Sequence, residues 1–230
     1  MDLKLAGKVV LITGSSRGIG LATAKAFLAE GCRIMLSARS ASQLRDVEAA
    51  LRGAGAAVAA HAGDVGNPAD AARLIDATAA AYGGIDVLVN NVGGGDGGAR
   101  VADSSDDDWR GALERNLIQT VRMMRLALPH MKGRPGAAVI NIASISGWRP
   151  QLAMSGQYGA AKAALIFDTE PGRWSSCRMG FASIPSPRAQ SWSRATAGTA
   201  TASPIRTILT TTSDTVSRWG GSALPRRLPT

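Results

Sequence analysis

Long apolar runs are missing from this 230-residue sequence. KVVLIT near the start and GAAVINIA from Gly136 fall far short of the roughly 18 residues a membrane span needs, so no transmembrane helix and no membrane partner are expected. The first apolar run leads straight into a Gly-rich turn with no cleavage-like site, so no secretory signal is read there either. Cysteine is scarce. Cys32 and Cys177 are too few for a disulfide framework, and neither is spaced from a His as a metal site requires, so no metal is expected and a reducing, cytoplasmic setting is the default.

Negative charge is also in short supply: 26 Lys+Arg face 17 Asp+Glu, a net charge of +9. The excess is uneven. Residues 1–167 carry 18 basic against 14 acidic side chains, whereas residues 168–230 carry 8 against 3. This last segment holds 10 Ser, 10 Thr and 6 Pro in 63 residues, and it has no Lys, Asn, His or Tyr. Its Arg residues are scattered without aromatic interleaving or a recognition motif, so nucleic acid is not expected as a partner.

What is present up to Phe167 is an alternation of short β-branched runs and longer helical patterns, which predicts a parallel sheet with helices on its faces. KVVLIT, RIMLS, AAVAAHAGDV, IDVLVNNVG and AAVINIASISG read as five strands. Helices are expected over Gly20–Glu30, Ser42–Arg52, Ala69–Tyr82 and Asp106–Met131, the last behind an Asp-rich start that suits the positive end of a helix. The order is that of an α/β, doubly wound nucleotide-binding fold.

Between the first strand and helix lies TGSSRGIG, Thr13–Gly20. Glycines at 14, 18 and 20 permit a tight turn, close approach of a pyrophosphate and helix–sheet packing, and the helix N-terminus attracts phosphate. An ordinary strand-to-helix turn would use the same glycines. Further on, Tyr158 and Lys162 stand four apart and share one helical face. A phenol is a weak acid at neutral pH and a nearby ammonium favours its anion, so the pair suits proton transfer.

TGSSRGIG, Asp64-Val65 after the third strand, NNVG at Asn90–Gly93, Asn116, Ser144, and Tyr158 with Lys162 follow one another as in the short-chain dehydrogenase/reductase family, which residues 1–167 resemble, 3-oxoacyl-[acyl-carrier-protein] reductases included. The resemblance implies a Rossmann-like domain over 1–167 that moves hydride between NADP(H) and a small-molecule carbonyl or secondary alcohol. It implies Asn116, Ser144, Tyr158 and Lys162 as the catalytic set, with Ser146 a rival to Ser144. It implies Gly14, Ser16, Arg17, Gly18, Ile19, Gly20, Arg39, Asp64, Val65, Asn91, Gly93, Tyr158 and Lys162 as the cofactor-binding set. Ala38 stands where an acidic residue would bond a ribose hydroxyl, and Arg39 and Arg17 are placed to meet a 2′-phosphate, so NADP(H) is expected rather than NAD(H), although either Arg also reads as a solvated surface charge. Family members are usually homodimers or homotetramers.

After Phe167 the resemblance stops. The expected continuation of the catalytic helix, a sixth strand and a Pro-Gly turn are not recognisable, and a C-terminal part that is missing or disordered is expected instead. Reading the tail as if one base had been lost near residues 167–169 permits ELVPHGIRVNTVTPG and, further on, GRLGTPEEIA, both of family type. A frameshifted tail over 168–230 is therefore expected, and with it a chain of poor solubility and little activity.

Overall fold

The computed structural model describes residues 3–95, 101–149 and 155–169, together with the backbone of 178–184. Within them six parallel strands form one sheet in the order β3-β2-β1-β4-β5-β6. The strands are β1 Val9–Thr13, β2 Arg33–Ala38, β3 Val58–Ala62, β4 Val87–Asn90, β5 Ala138–Ser144 and β6 Arg178–Ile184. The helices are α1 Gly18–Ala29, α2 Ala41–Gly53, α3 Pro68–Tyr82, α4 Asp106–Leu113, α5 Gln119–Met131 and α6 Gly156–Asp168. This is the doubly wound arrangement expected from the sequence.

The core sits on both faces of the sheet. Every residue of β1 is buried, and alternate side chains point to opposite sides: Val10 and Ile12 join Phe27, Ile34 and Leu44, while Leu11 joins Leu74, Leu88, Met123 and Met124. A continuous apolar strand is what a sheet covered by helices on both faces demands.

At the amino ends of the strands, a polar staple holds the layers together. Asp86 is 4% exposed. Its carboxylate accepts the Val9 N–H at 2.8 Å and a bidentate pair from Arg134 at 3.0 Å each, with Lys8 at 3.5 Å. Burial alone would raise the carboxyl pKa, but the Arg134 and Val9 hydrogen bonds outweigh it and hold the value below the ordinary one.

Three sequence expectations need correction. The third and fourth strands were expected to run to Val65 and Gly93, but they stop at Ala62 and Asn90. Beyond these points Asp64 folds back, accepting the Gly66 N–H, and Asn91 turns toward β1. The helix expected over 106–131 is broken by a π turn at Glu114–Ile118, with Asn116 buried inside it. A sixth strand, not expected at all, pairs along the full length of β5 from Ala138↔Arg178 to Ser144↔Ile184. Backbone groups make that ladder, and seven residues without proline suffice for it. Of the tail, residues 170–177 and 185–230 lie outside the described residues, Cys177 and the Pro171-Gly172 pair among them. No helix among the described residues is long and apolar enough to cross a membrane, and no cluster of His, Cys, Asp and Glu there could hold a metal ion.

Candidate active site

The sheet's switch point lies between β1 and β4, where the chain turns to opposite faces and a crevice must open. At that point β1 passes into the turn before α1. Gly14 (φ +65°) and Gly18 (φ +57°) adopt left-handed conformations that favour glycine. Gly20 is required for space: a Cβ there would overlap the Gly14 carbonyl oxygen and lie 2.7 Å from Asn91 Nδ2. Asn91 in turn donates to the Thr13 and Gly14 carbonyls at 3.0 Å each, and Thr13 Oγ1 accepts the Asn91 and Val92 N–H groups. The two strand ends are thereby tied together around the turn.

Helix α5 simply continues the π turn, and among the helices that start from a loop the one at this turn stands apart. Helices α2, α3, α4 and α6 are each capped by a side chain, from Ser40, Asn67, Ser105 and Ser155. Helix α1 begins after Arg17 with no side-chain cap and no acidic residue in its first turn. Its amide donors remain available to an anion, where the helix dipole favours negative charge.

A cleft of about 1000 Å³ opens beside this helix end. Gly14, Ser16, Arg17, Arg39, Asp64, Val65, Asn91 and Gly93 all line it, and the Arg17 and Arg39 side chains are exposed. Gly18, Ile19 and Gly20 sit on the first turn of α1 beside that lining, with Ile19 exposed at 41%. At Gly93 the cleft meets the second group of residues. A Cβ there would lie 2.9 Å from Asn116 Oδ1 and 3.1 Å from Lys162 Nζ, so the floor of the cleft rests directly on both side chains.

Lys162 is 3% exposed, and its ammonium donates to the Ile142 carbonyl at 2.8 Å. Burial lowers its pKa to about 8. The charged form therefore still predominates at neutral pH. Its Nζ is 5.9 Å from the centre of the Tyr158 ring, one turn earlier on α6. The Ser155 hydroxyl accepts the Tyr158 N–H at 3.3 Å and fixes the start of this helix. Asn116 is fully buried. It accepts the Gly94 N–H at 2.9 Å and donates to the Gly94 and Ala112 carbonyls at 3.0 Å each. Ser144 and Ser146 are equally buried at 8%, and the Ser146 N–H donates to the Ser144 hydroxyl at 3.2 Å. Both close the carboxyl end of β5, with Gly147 packed against the backbone of Lys162.

Three contributors were not singled out from sequence. Ser15 is wholly buried and bridges the turn to β2, donating to the Ile12 carbonyl and accepting the Ser37 N–H; nothing in Ser15-Ser16 tells the inward hydroxyl from the half-exposed one. Gln119 and Glu114 line the cleft from the helical side. A Gln three residues after Asn116, with Arg122 three further on, makes a polar stripe down the helix, and that was the available signal.

The short chain dehydrogenase family profile matches residues 8–170, and the chain belongs to that family. Over 165 residues it is 41% identical to the Mycobacterium tuberculosis (5R,7aS)-5-hydroxy-7a-methyl-1-oxo-2,3,5,6,7,7a-hexahydro-1H-indene-carboxyl-CoA reductase, covering 70% of this chain and 62% of that protein. The match thus spans less than two thirds of the length of this curated relative. Among solved structures, L-sorbose reductase from Gluconobacter frateurii, complexed with NADPH and L-sorbose, superposes with a TM-score of 0.70 at 36% identity, covering 74% of this chain and 64% of that one. A short chain dehydrogenase from Burkholderia cenocepacia in complex with NADP gives 0.66 at 33% identity, covering 72% and 66%.

Proposed function

We propose that residues 8–170 form the working part of an NADP(H)-dependent oxidoreductase acting on a small carbonyl compound or secondary alcohol. The observation that carries this reading is the position of Gly93, which closes the cleft on one side and touches Asn116 and Lys162 on the other. A dinucleotide laid along the cleft, with its phosphates at the uncapped start of α1, would reach the Tyr158–Lys162 pair. The bound nicotinamide supplies or accepts the hydride.

The chain's own residues would do the rest. Arg17 and Arg39 would meet a 2′-phosphate with two guanidiniums. Asp64 and Val65 would bound the adenine, while Asn91 and Gly93 would keep the floor flat. Tyr158 would pass a proton to or from the substrate oxygen, with the Lys162 ammonium favouring negative charge as it develops on the phenol oxygen. Ser144 would donate a hydrogen bond to that same substrate oxygen, Ser146 being the rival for this role. Asn116 would hold Gly94 and keep Lys162 in place. Assembly as a dimer or tetramer and a cytoplasmic setting belong to the same proposal.

The test is a fluorescence titration with NADPH and NADH, followed by turnover against a panel of small ketones. The expected result is tighter NADPH binding and ketone-dependent oxidation that Tyr158→Phe reduces by about 10²–10⁴-fold without loss of nucleotide binding. A clear preference for NADH refutes the cofactor assignment.

A second reading rests on a coincidence: the family match ends at residue 170, and the composition changes at residue 168. On this reading the tail is the family's C-terminal part translated one base out of frame, and the chain binds nucleotide without turnover. Sequencing the source DNA decides it, since an uninterrupted frame with no family-type C-terminus in any other frame refutes the second reading.

A further inference from the structure

Asn116, Gln119 and Arg122, spaced three apart along the π turn and α5, each hold a backbone carbonyl of a loop at the cleft. Asn116 Nδ2 donates to Gly94 at 3.0 Å, and Gln119 Nε2 donates to Val92 at 3.3 Å. Arg122 Nη1 donates to Gly66 at 2.9 Å and to Val65 at 3.4 Å. Its Nη2 donates to Glu114 Oε1 at 2.7 Å, and the guanidinium side chain is 16% exposed. The first two bonds secure the floor beneath the nicotinamide end of the cleft. The third reaches the opposite end, where no catalytic role accounts for it.

The loop that Arg122 grips has a shape of its own. Asp64 Oδ1 accepts the Gly66 N–H at 2.9 Å, the Asp64 N–H donates to Asp70 at 2.8 Å, and the Asn67 N–H donates to the Asp64 carbonyl at 2.8 Å. These bonds are all local to residues 64–70, so they fix the loop's form and not its distance from the rest of the cleft. On the β2 side the Gly63 N–H donates to the Ala38 carbonyl at 3.0 Å; on the helical side the distance depends on the buried Val65 side chain and on Arg122, whose planar fork reaches two successive carbonyls and a carboxylate at once. An ion pair with the half-exposed Glu114 would by itself contribute little. The two carbonyls distinguish this Arg from an ordinary surface charge on a helix.

We propose that Arg122, braced by Glu114, is a positioning residue that sets the Asp64–Gly66 loop against the adenosine half of the cofactor. This rests on the nucleotide-binding reading above. Arg122 does not line the cleft, so its effect must pass through the loop and appear only with ligands that carry the adenosine.

The test compares three probes by titration on the full chain: NADPH, adenosine 2′,5′-bisphosphate, and reduced nicotinamide mononucleotide, which lacks the adenosine. Arg122→Met keeps the aliphatic stem and removes the donors. It is expected to weaken NADPH and the bisphosphate by about ten-fold each and the mononucleotide by less than about two-fold. Arg122→Lys, which offers an ammonium in place of the fork, is expected to lose about three-fold on the first two probes and serves the same comparison should the Met variant not fold. Unchanged NADPH binding in both variants overturns the proposal, and so does an equal loss on all three probes, which would mark a general structural role. Absence of NADPH binding by the unsubstituted chain would instead overturn the nucleotide reading, and this proposal with it.

Discussion

Lys162 should destabilise the chain that it serves. Its pKa is lowered from 10.5 to about 8 by burial. At 1.36 kcal/mol per unit, this corresponds to a cost to the folded state of about 3 kcal/mol at neutral pH. The sign follows from proton counting. The unfolded chain holds this proton up to about pH 10.5 and the folded chain releases it near pH 8, so the unfolded state binds more protons in between and stability rises with pH across that window. Between pH 7 and pH 9.5 the recovery is about 2 kcal/mol. Lys162→Met keeps the stem among its neighbours, removes the charge and leaves the Ile142 carbonyl without its donor, which returns about 1–3 kcal/mol of the gain. Urea denaturation of parent and variant at both pH values isolates the effect when both carry Tyr158→Phe, because titrating groups not coupled to Lys162 cancel in the difference. The variant should be at least as stable as the parent at pH 7 and should lose about 2 kcal/mol relative to it at pH 9.5. A difference that stays constant within about 0.5 kcal/mol between the two pH values refutes the reasoning.

Two other substitutions probe the scaffold. Gly20→Ala places a methyl group against the Gly14 carbonyl, backbone that cannot yield cheaply, and is expected to cost about 1–3 kcal/mol in urea denaturation and to weaken NADPH binding as well. Asp86→Asn removes the charge from the staple at the other end of the sheet and should cost about 2 kcal/mol at pH 7. Because the Asp86 carboxyl titrates below its ordinary value, its contribution is fully present above about pH 4 and fades as pH falls through the folded pKa, so parent and variant should converge in stability under acid.

The sheet was legible because β1, β2, β4 and β5 are buried on both faces and are therefore written mostly in apolar residues, with Ser37, Asn90 and Asn141 among the buried polar exceptions. The turn before α1 and the placement of Tyr158 and Lys162 one turn apart on a helix were legible because glycines at left-handed φ and helical spacing both leave their mark in the sequence. Strand ends were misplaced because Asn91 and Asp64 are compatible with an extended chain, and only the Asn91 bond to the distant Thr13 carbonyl and the local bond of Asp64 to the Gly66 N–H show that they turn. The π turn left no trace, since Leu113 and Leu117 keep the apolar spacing of an ordinary helix around Asn116. Strand β6 was missed because the composition of the whole tail hid a seven-residue stretch whose pairing depends on backbone alone. Arg122 looked like any charge on an amphipathic helix until its two carbonyl partners, more than fifty residues earlier in the chain, came into view.

The staple of Asp86, Arg134 and Lys8 lies at the amino ends of the strands, and the cleft lies at their carboxyl ends, a strand length of roughly 17 Å away. For anyone attaching a reporter or a surface to this molecule, that separation offers a handle. Pro135, whose carbonyl anchors Lys8, and Gly136 are both exposed beside the staple. A dye or linker placed there would follow the melting of the sheet while leaving the cleft clear.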